Sequence, residues 1–177
     1  MRHLLLLLVL VIAAVAIGLW QNAPQRIEIP TAPTGDGKKE GEDNTSPPDF
    51  TLPALGGGQV SLSELKGKKG VLVVFFTTWC PACVTKVPAL RQLASEAAAQ
   101  QIEVWGVNIG QDKDTIAAFV KKHGINYPVL LDQDQSVARA YNVTGIPFIV
   151  GIDKNGYVRF QGHSLPPAND IFSALSR

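Results

Sequence analysis

The chain contains two cysteines, and they stand three apart in Trp79-Cys80-Pro81-Ala82-Cys83. An apolar run, Gly70-Val71-Leu72-Val73-Val74-Phe75-Phe76, precedes them, and a helix-like run starts near Cys83. Two thiols fed by a strand into the first turn of a helix form a redox constellation. That turn leaves backbone N–H groups unpaired and carries partial positive charge. A cysteine there has its thiolate stabilised, with the pKa lowered to about 3.5–7.5. Residues three apart share a helical face, so Cys83 can reach Cys80 and close a small disulfide. Pro81 suits the first helical position, where its missing N–H costs little. Cys80 is therefore expected to be the exposed attacking thiol and Cys83 the more buried resolving thiol.

Two other uses of the pair carry less weight. A structural disulfide closing so short a loop would constrain the unfolded chain little. A zinc site needs about four ligands. There is no second cysteine pair, and His3 falls in the N-terminal apolar segment, which leaves only His123 and His163. No metal and no separate cofactor is expected, the redox group being Cys80–Cys83 itself.

The elements that must position these thiols follow from periodicity and turn chemistry. Phe50-Thr51-Leu52-Pro53 and Gln59-Val60-Ser61-Leu62 flank a glycine-rich turn and read as a hairpin. Ser61 to Leu65 reads as a capped short helix ended by Gly67. The unbroken apolar run at 70–76 fits a strand buried on both faces. A helix is expected from Pro81 to Gln101, kinked at Pro88. A strand over 102–108, a helix over 115–123 closed by Gly124, a strand over 127–131 and a short helix over 136–141 follow. Residues 147–152 and 157–161 form a hairpin around Asp153-Lys154-Asn155-Gly156, and 167–176 a closing helix. Strands alternating with helices before a terminal hairpin indicate a mixed α/β sheet flanked by helices.

The N-terminus reads as a targeting or anchoring segment. Met1-Arg2-His3 is a short basic start, and the 17 residues from Leu4 to Trp20 are apolar, at the lower limit for a spanning helix. A signal peptide cleaved after a small-residue site such as Ala14-Val15-Ala16 or Ala16-Ile17-Gly18 is one reading. An uncleaved anchor over 1–21, ending at interfacial Trp20, is favoured by the apolar length and the weak cleavage sites. No cysteine follows the run, which excludes lipid attachment there. Arg2 on the short side places the rest outside the cytoplasm, in a disulfide-permitting compartment. Residues 22–47, rich in Pro, Gly, Thr and mixed charge, read as a flexible linker spanning roughly 25–30 Å. The folded domain is expected over 48–177.

Composition narrows the partners. The chain has 177 residues, 46% of them hydrophobic, which suffices for one domain with a real core. Formal net charge is +1, and without the first 22 residues, whose only Lys or Arg is Arg2, 15 basic and 15 acidic residues cancel. No basic excess points to nucleic acid. A monomer acting on protein thiols or disulfides is expected.

Trp-Cys-x-x-Cys, a helix proline five residues after the second cysteine (Pro88) and Thr144-Gly145-Ile146-Pro147 before a hairpin together resemble the thioredoxin superfamily. The resemblance covers about 48–177. It implies a thioredoxin-like fold with an N-terminal hairpin extension and an inserted strand–helix at 125–141. It also implies a cis Pro147 facing the dithiol and an Ile146 backbone that pairs with bound peptide by strand addition. Trp79, Pro81, Ile146 and Pro147 are then substrate-binding, and Cys80 and Cys83 catalytic. The Pro-Asp-Phe hairpin, the Ser-Leu-Ser-Glu-Leu-Lys-Gly segment and the insertion resemble the membrane-anchored TlpA/ResA-like branch. That branch implies a thiol reductant of cytochrome c maturation, acting on substrates such as apocytochrome c and served by a membrane electron donor.

Three departures stand out. The buried acid that thioredoxin carries six residues before its first cysteine is Val74 here. The glutamate that cytochrome-maturation members often carry three residues after the second cysteine is Lys86. Pro-Ala lies between the cysteines, a dipeptide that tunes potential. Lys86, if it faces the dithiol, favours thiolate by charge; a solvated helix-surface lysine is the alternative. The base that deprotonates Cys83 is not legible. Three other functions compete for parts of this pattern. A general periplasmic disulfide oxidase or isomerase would use the same site. A peroxiredoxin-like peroxidase would match Thr77-x-x-Cys80 but finds Val73 where its proline belongs. A copper-binding module would need C-x-x-x-C spacing.

Overall fold

The computed structural model describes residues 44–177. The anchor over 1–21 and most of the linker fall outside the described residues. β1 (Thr51–Pro53) and β2 (Gln59–Ser61) form an antiparallel hairpin with Leu52 opposite Val60. A 3₁₀ turn, Leu62–Leu65, follows. Its cap does not come from Ser61. Asp49 Oδ1 accepts from the Ser63 N–H at 3.0 Å and from the Phe50 N–H at 2.9 Å, so a carboxylate fourteen residues upstream fills that role.

The main sheet contains β3 (Gly70–Phe76), β4 (Ile102–Ile109), β5 (Val129–Asp132), β6 (Phe148–Ile152) and β7 (Val158–Gly162). Their order is β5-β4-β3-β6-β7, with the β3–β4 and β4–β5 pairs parallel and the β3–β6 and β6–β7 pairs antiparallel. This is the mixed α/β sheet that the sequence pattern predicts. Every residue of β3 is buried, and its alternation splits the core. Val71, Val73 and Phe75 join Phe50, Leu52, Trp105 and Tyr141 on one face, while Leu72 and Val74 join Leu90, Leu93, Ile171 and Leu175 on the other.

Four helices complete the fold: α1 (Pro81–Ala97), α2 (Lys113–His123), α3 (Ser136–Ala140) and α4 (Ala168–Leu175). α1 runs through Pro88 and finishes as a 3₁₀ turn, Ala98–Gln100, with Gln101 left-handed at φ 55°. It therefore stops short of the expected Gln101 end. α2 begins under the Asp112 side chain, which accepts from the Thr115 N–H at 2.8 Å, and closes at left-handed Gly124. α3 is too short to stand on propensity alone. Buried Asp132, at the end of β5, accepts from the Val137 and Ala138 N–H groups and so caps it from the sheet. The hairpin docks on β5 through Leu55 N–H to Val129 O, 2.8 Å, and covers part of that edge. Upstream of it, Val158 N–H donates to Thr45 O and the Tyr141 hydroxyl to Pro48 O.

α4 lies hard against the start of β3. A Cβ built on Gly70 would stand 2.5 Å from the Leu175 carbonyl oxygen and 2.9 Å from Leu175 Cβ. Backbone cannot swing aside as a side-chain tip can. Gly70→Ala should therefore lower stability by about 2 kcal/mol, read as a lower urea midpoint with unchanged slope; an unmoved midpoint would mean that α4 is free to shift.

Candidate functional site

β3 delivers Thr77, Thr78 and Trp79 to the N-terminus of α1, where Cys80 is the N-cap with extended backbone (φ −83°, ψ 110°) and Pro81 occupies the first helical position. Cys80 and Cys83 form a disulfide, and these are the chain's only cysteines. The Cys83 N–H donates to Cys80 Sγ at 3.1 Å. Once the disulfide opens, that N–H and the helix end stabilise negative charge on Cys80 specifically.

The expected contrast in exposure is absent. Cys80 and Cys83 are each only 4% exposed, so Cys80 is not an exposed thiol in the oxidised chain. Its N-cap position tucks it between the first turn of α1 and the loop before β6. Cys80 Sγ lies 3.8 Å from the Ile146 carbonyl oxygen, and the Ile146–Pro147 bond is cis. What separates the two sulfurs is hydrogen bonding rather than exposure. Trp79, by contrast, is 71% exposed and the only large hydrophobic side chain so exposed among the described residues. Pro81 is exposed, Ile146 half-buried and Pro147 buried. All six sequence-derived site residues thus gather around the disulfide.

Lys86 also belongs there. It is half-buried and lines a narrow cleft with Cys83, Val74, Phe76, Tyr127 and Pro147. The cleft measures about 10 Å³, room for no more than one water. No Asp or Glu among the described residues lines it. Burial pushes the hydroxyl of Tyr127, one of the lining residues, up to about 12, opposed by the Arg91 charge.

Sequence reasoning missed a clamp. Gln111, just after β4, accepts the Thr78 N–H at 2.7 Å and donates to Thr78 Oγ1 at 2.7 Å, while Asn108 Nδ2 donates to Gln111 Oε1 at 2.9 Å. The end of β4 therefore fixes the turn that carries Trp79 and Cys80. Thr77 Oγ1 and Asn108 Oδ1 sit buried beside it with no partner among the described residues, each at a cost of about 1–3 kcal/mol. It also missed His163, whose Nδ1 lies 2.9 Å from the Pro147 carbonyl oxygen. Both are long-range contacts with no local spacing signal. No group of three or more His, Cys, Asp or Glu converges among the described residues.

Residues 44–161 match the profile of the AhpC/TSA family. The chain belongs to that family. It is 35% identical to the thiol-disulfide oxidoreductase ResA of Bacillus subtilis over 122 residues, covering 69% of this chain and 68% of the relative. It is 37% identical to ResA of Geobacillus kaustophilus, over 63% of this chain and 64% of that one. The match thus spans about two-thirds of these relatives' length. Among solved structures, a thiol:disulfide interchange protein of the thioredoxin family from Chlorobium tepidum superposes with a TM-score of 0.67 at 28% identity, covering 76% of this chain and 97% of that one. The fold is thioredoxin-like. The activity is thiol–disulfide exchange, carried by cysteines without an external cofactor.

Proposed function

We propose that this AhpC/TSA-family member is an extracytoplasmic protein-disulfide reductant, held at the cytoplasmic membrane by residues 1–21, with disulfides of apocytochrome c among its targets. Cys80 attacks the substrate disulfide, a mixed disulfide forms, and Cys83 displaces the substrate thiol to leave the Cys80–Cys83 disulfide. A membrane donor supplies two electrons to restore the dithiol. The observation that carries this reading is Cys80 Sγ, which receives a helix N–H while lying against the Ile146 carbonyl beside cis Pro147. That places a nucleophilic sulfur beside a backbone edge on which an extended peptide can pair. Trp79 offers apolar area at the mouth. The basic start and apolar run of the sequence support the membrane placement.

Direction of electron flow is tested by equilibrating the full chain against glutathione and dithiothreitol buffers. A potential well below the glutathione couple is expected, and reduction of a disulfide-bonded Cys-x-x-Cys-His peptide should follow. A potential near about −120 mV would instead mark a disulfide-inserting oxidase using the same site. Peroxide-driven oxidation of Cys80 faster than its reaction with disulfides would favour the peroxidase chemistry.

A further inference from the structure

We propose that His163 is a positioning residue for substrate docking: it clasps the Gly145–Phe148 loop and so sets where Ile146 presents its backbone to a bound polypeptide. This rests on the reading that a protein disulfide docks beside Ile146. The sheet register brings the residue there. Ile149 pairs with Gly162, so the next residue after β7 falls beside Phe148 and Pro147. Three contacts on the loop then hold the ring. His163 Nδ1 and the Pro147 carbonyl oxygen are 2.9 Å apart. The Phe148 ring meets it edge-on, with centroids 5.5 Å apart and planes at 62°. A Cβ built on Gly145 would stand 3.3 Å from His163 Cε1, so the ring lies close over the bare backbone there.

A carbonyl can only accept, so Nδ1 carries the proton. In the neutral ring Nε2 is then a bare acceptor, and no described residue bonds it. Between Gly145, under the ring, and the hydrogen-bonded Pro147 lies Ile146, whose carbonyl is 3.8 Å from Cys80 Sγ. A loop held at Pro147 and Phe148 and covered at Gly145 presents that backbone in one place, which cuts the ordering cost of docking a peptide. A small aromatic disulfide that needs no backbone pairing gains nothing from this.

The test compares kcat and KM of the full chain for insulin and for 5,5′-dithiobis(2-nitrobenzoate) in His163→Ala, His163→Phe and His163→Asn variants. Asparagine can donate from near the Nδ1 position; phenylalanine keeps a ring without the donor. Losing one hydrogen bond of ordinary strength should raise KM for insulin about fivefold in the Ala and Phe variants. The kcat and the rate on the aromatic disulfide should stay within about twofold, and Asn should restore KM. Unchanged KM in the Ala and Phe variants, or a parallel loss on both substrates, would overturn the proposal. A second readout needs no substrate: the Ile146 backbone NMR signal should move in the Ala and Phe variants and return in Asn, and a fixed signal in Ala overturns the clasp. If the wild type reduces the aromatic disulfide but not insulin, the protein-docking reading fails, while the Ile146 signal still decides whether His163 holds the loop.

Discussion

Cys83→Ser should convert the protein into a trap that holds its substrate through Cys80. In this variant Cys80 keeps its N-cap position and the N–H of residue 83 that donates to its sulfur, both backbone features that serine preserves. Attack on a substrate disulfide therefore still occurs, one substrate sulfur leaves as thiol, and the other stays bonded to Cys80. Resolution then needs an outside thiol. The native step is intramolecular, from a sulfur one helical turn away, and well-oriented intramolecular reactions reach effective molarities of about 10⁵ M or more. Millimolar external thiol cannot replace that, so turnover should fall by about a thousandfold or more. A covalent adduct sensitive to dithiothreitol should accumulate on non-reducing gels. Cys80→Ser should be equally inactive yet trap nothing, because Cys83 lacks the end-of-helix N–H donor that Cys80 receives. Undiminished turnover in Cys83→Ser would show that Cys83 does not resolve the intermediate.

Much of this arrangement can be read from local pattern. β3 announces itself because a strand covered on both faces has no polar position, and all seven of its residues are buried. The start of α1 is fixed by Pro81 directly after Cys80, and the end of α2 by Gly124. The contacts that hold the site in register are a different matter. Gln111 to Thr78, Asp132 to the first turn of α3, Asp49 to Ser63 and His163 to Pro147 all join a side chain to distant backbone. Their residue types are common in loops, and only the folded sheet reveals which backbone group each one meets. The burial of Cys80 is hidden from the sequence for the same reason. Helix position alone leaves an N-cap residue open, and it is the remote Ile146 loop that comes to lie against it. β5 begins at Val129, later than the pattern suggested, since Pro128 has no N–H to give a ladder.

Reversing the charge at Lys86 should slow resolution and move its pH dependence to higher pH. Cys83 and Lys86 are one turn apart on α1 and line the same narrow cleft. The cleft is narrow and walled mainly by apolar side chains, and burial of that kind disfavours an anion. A thiolate at Cys83 meets that penalty, and Lys86 is the only cationic side chain in the lining among the described residues. Its charge opposes the penalty and favours thiolate. Lys86→Glu removes that attraction and adds repulsion, so the Cys83 thiolate is disfavoured. A more basic thiolate is also a better nucleophile, so with a Brønsted slope of about 0.5 part of the loss is recovered, and resolution should slow by about tenfold. The inflection in rate should move to higher pH, while Lys86→Arg leaves it in place. Stopped-flow resolution of a preformed mixed disulfide across pH reads this directly. Coincident profiles for the wild type and Lys86→Glu would place the ammonium in solvent, and the cleft would then have to release the Cys83 proton without help from charge.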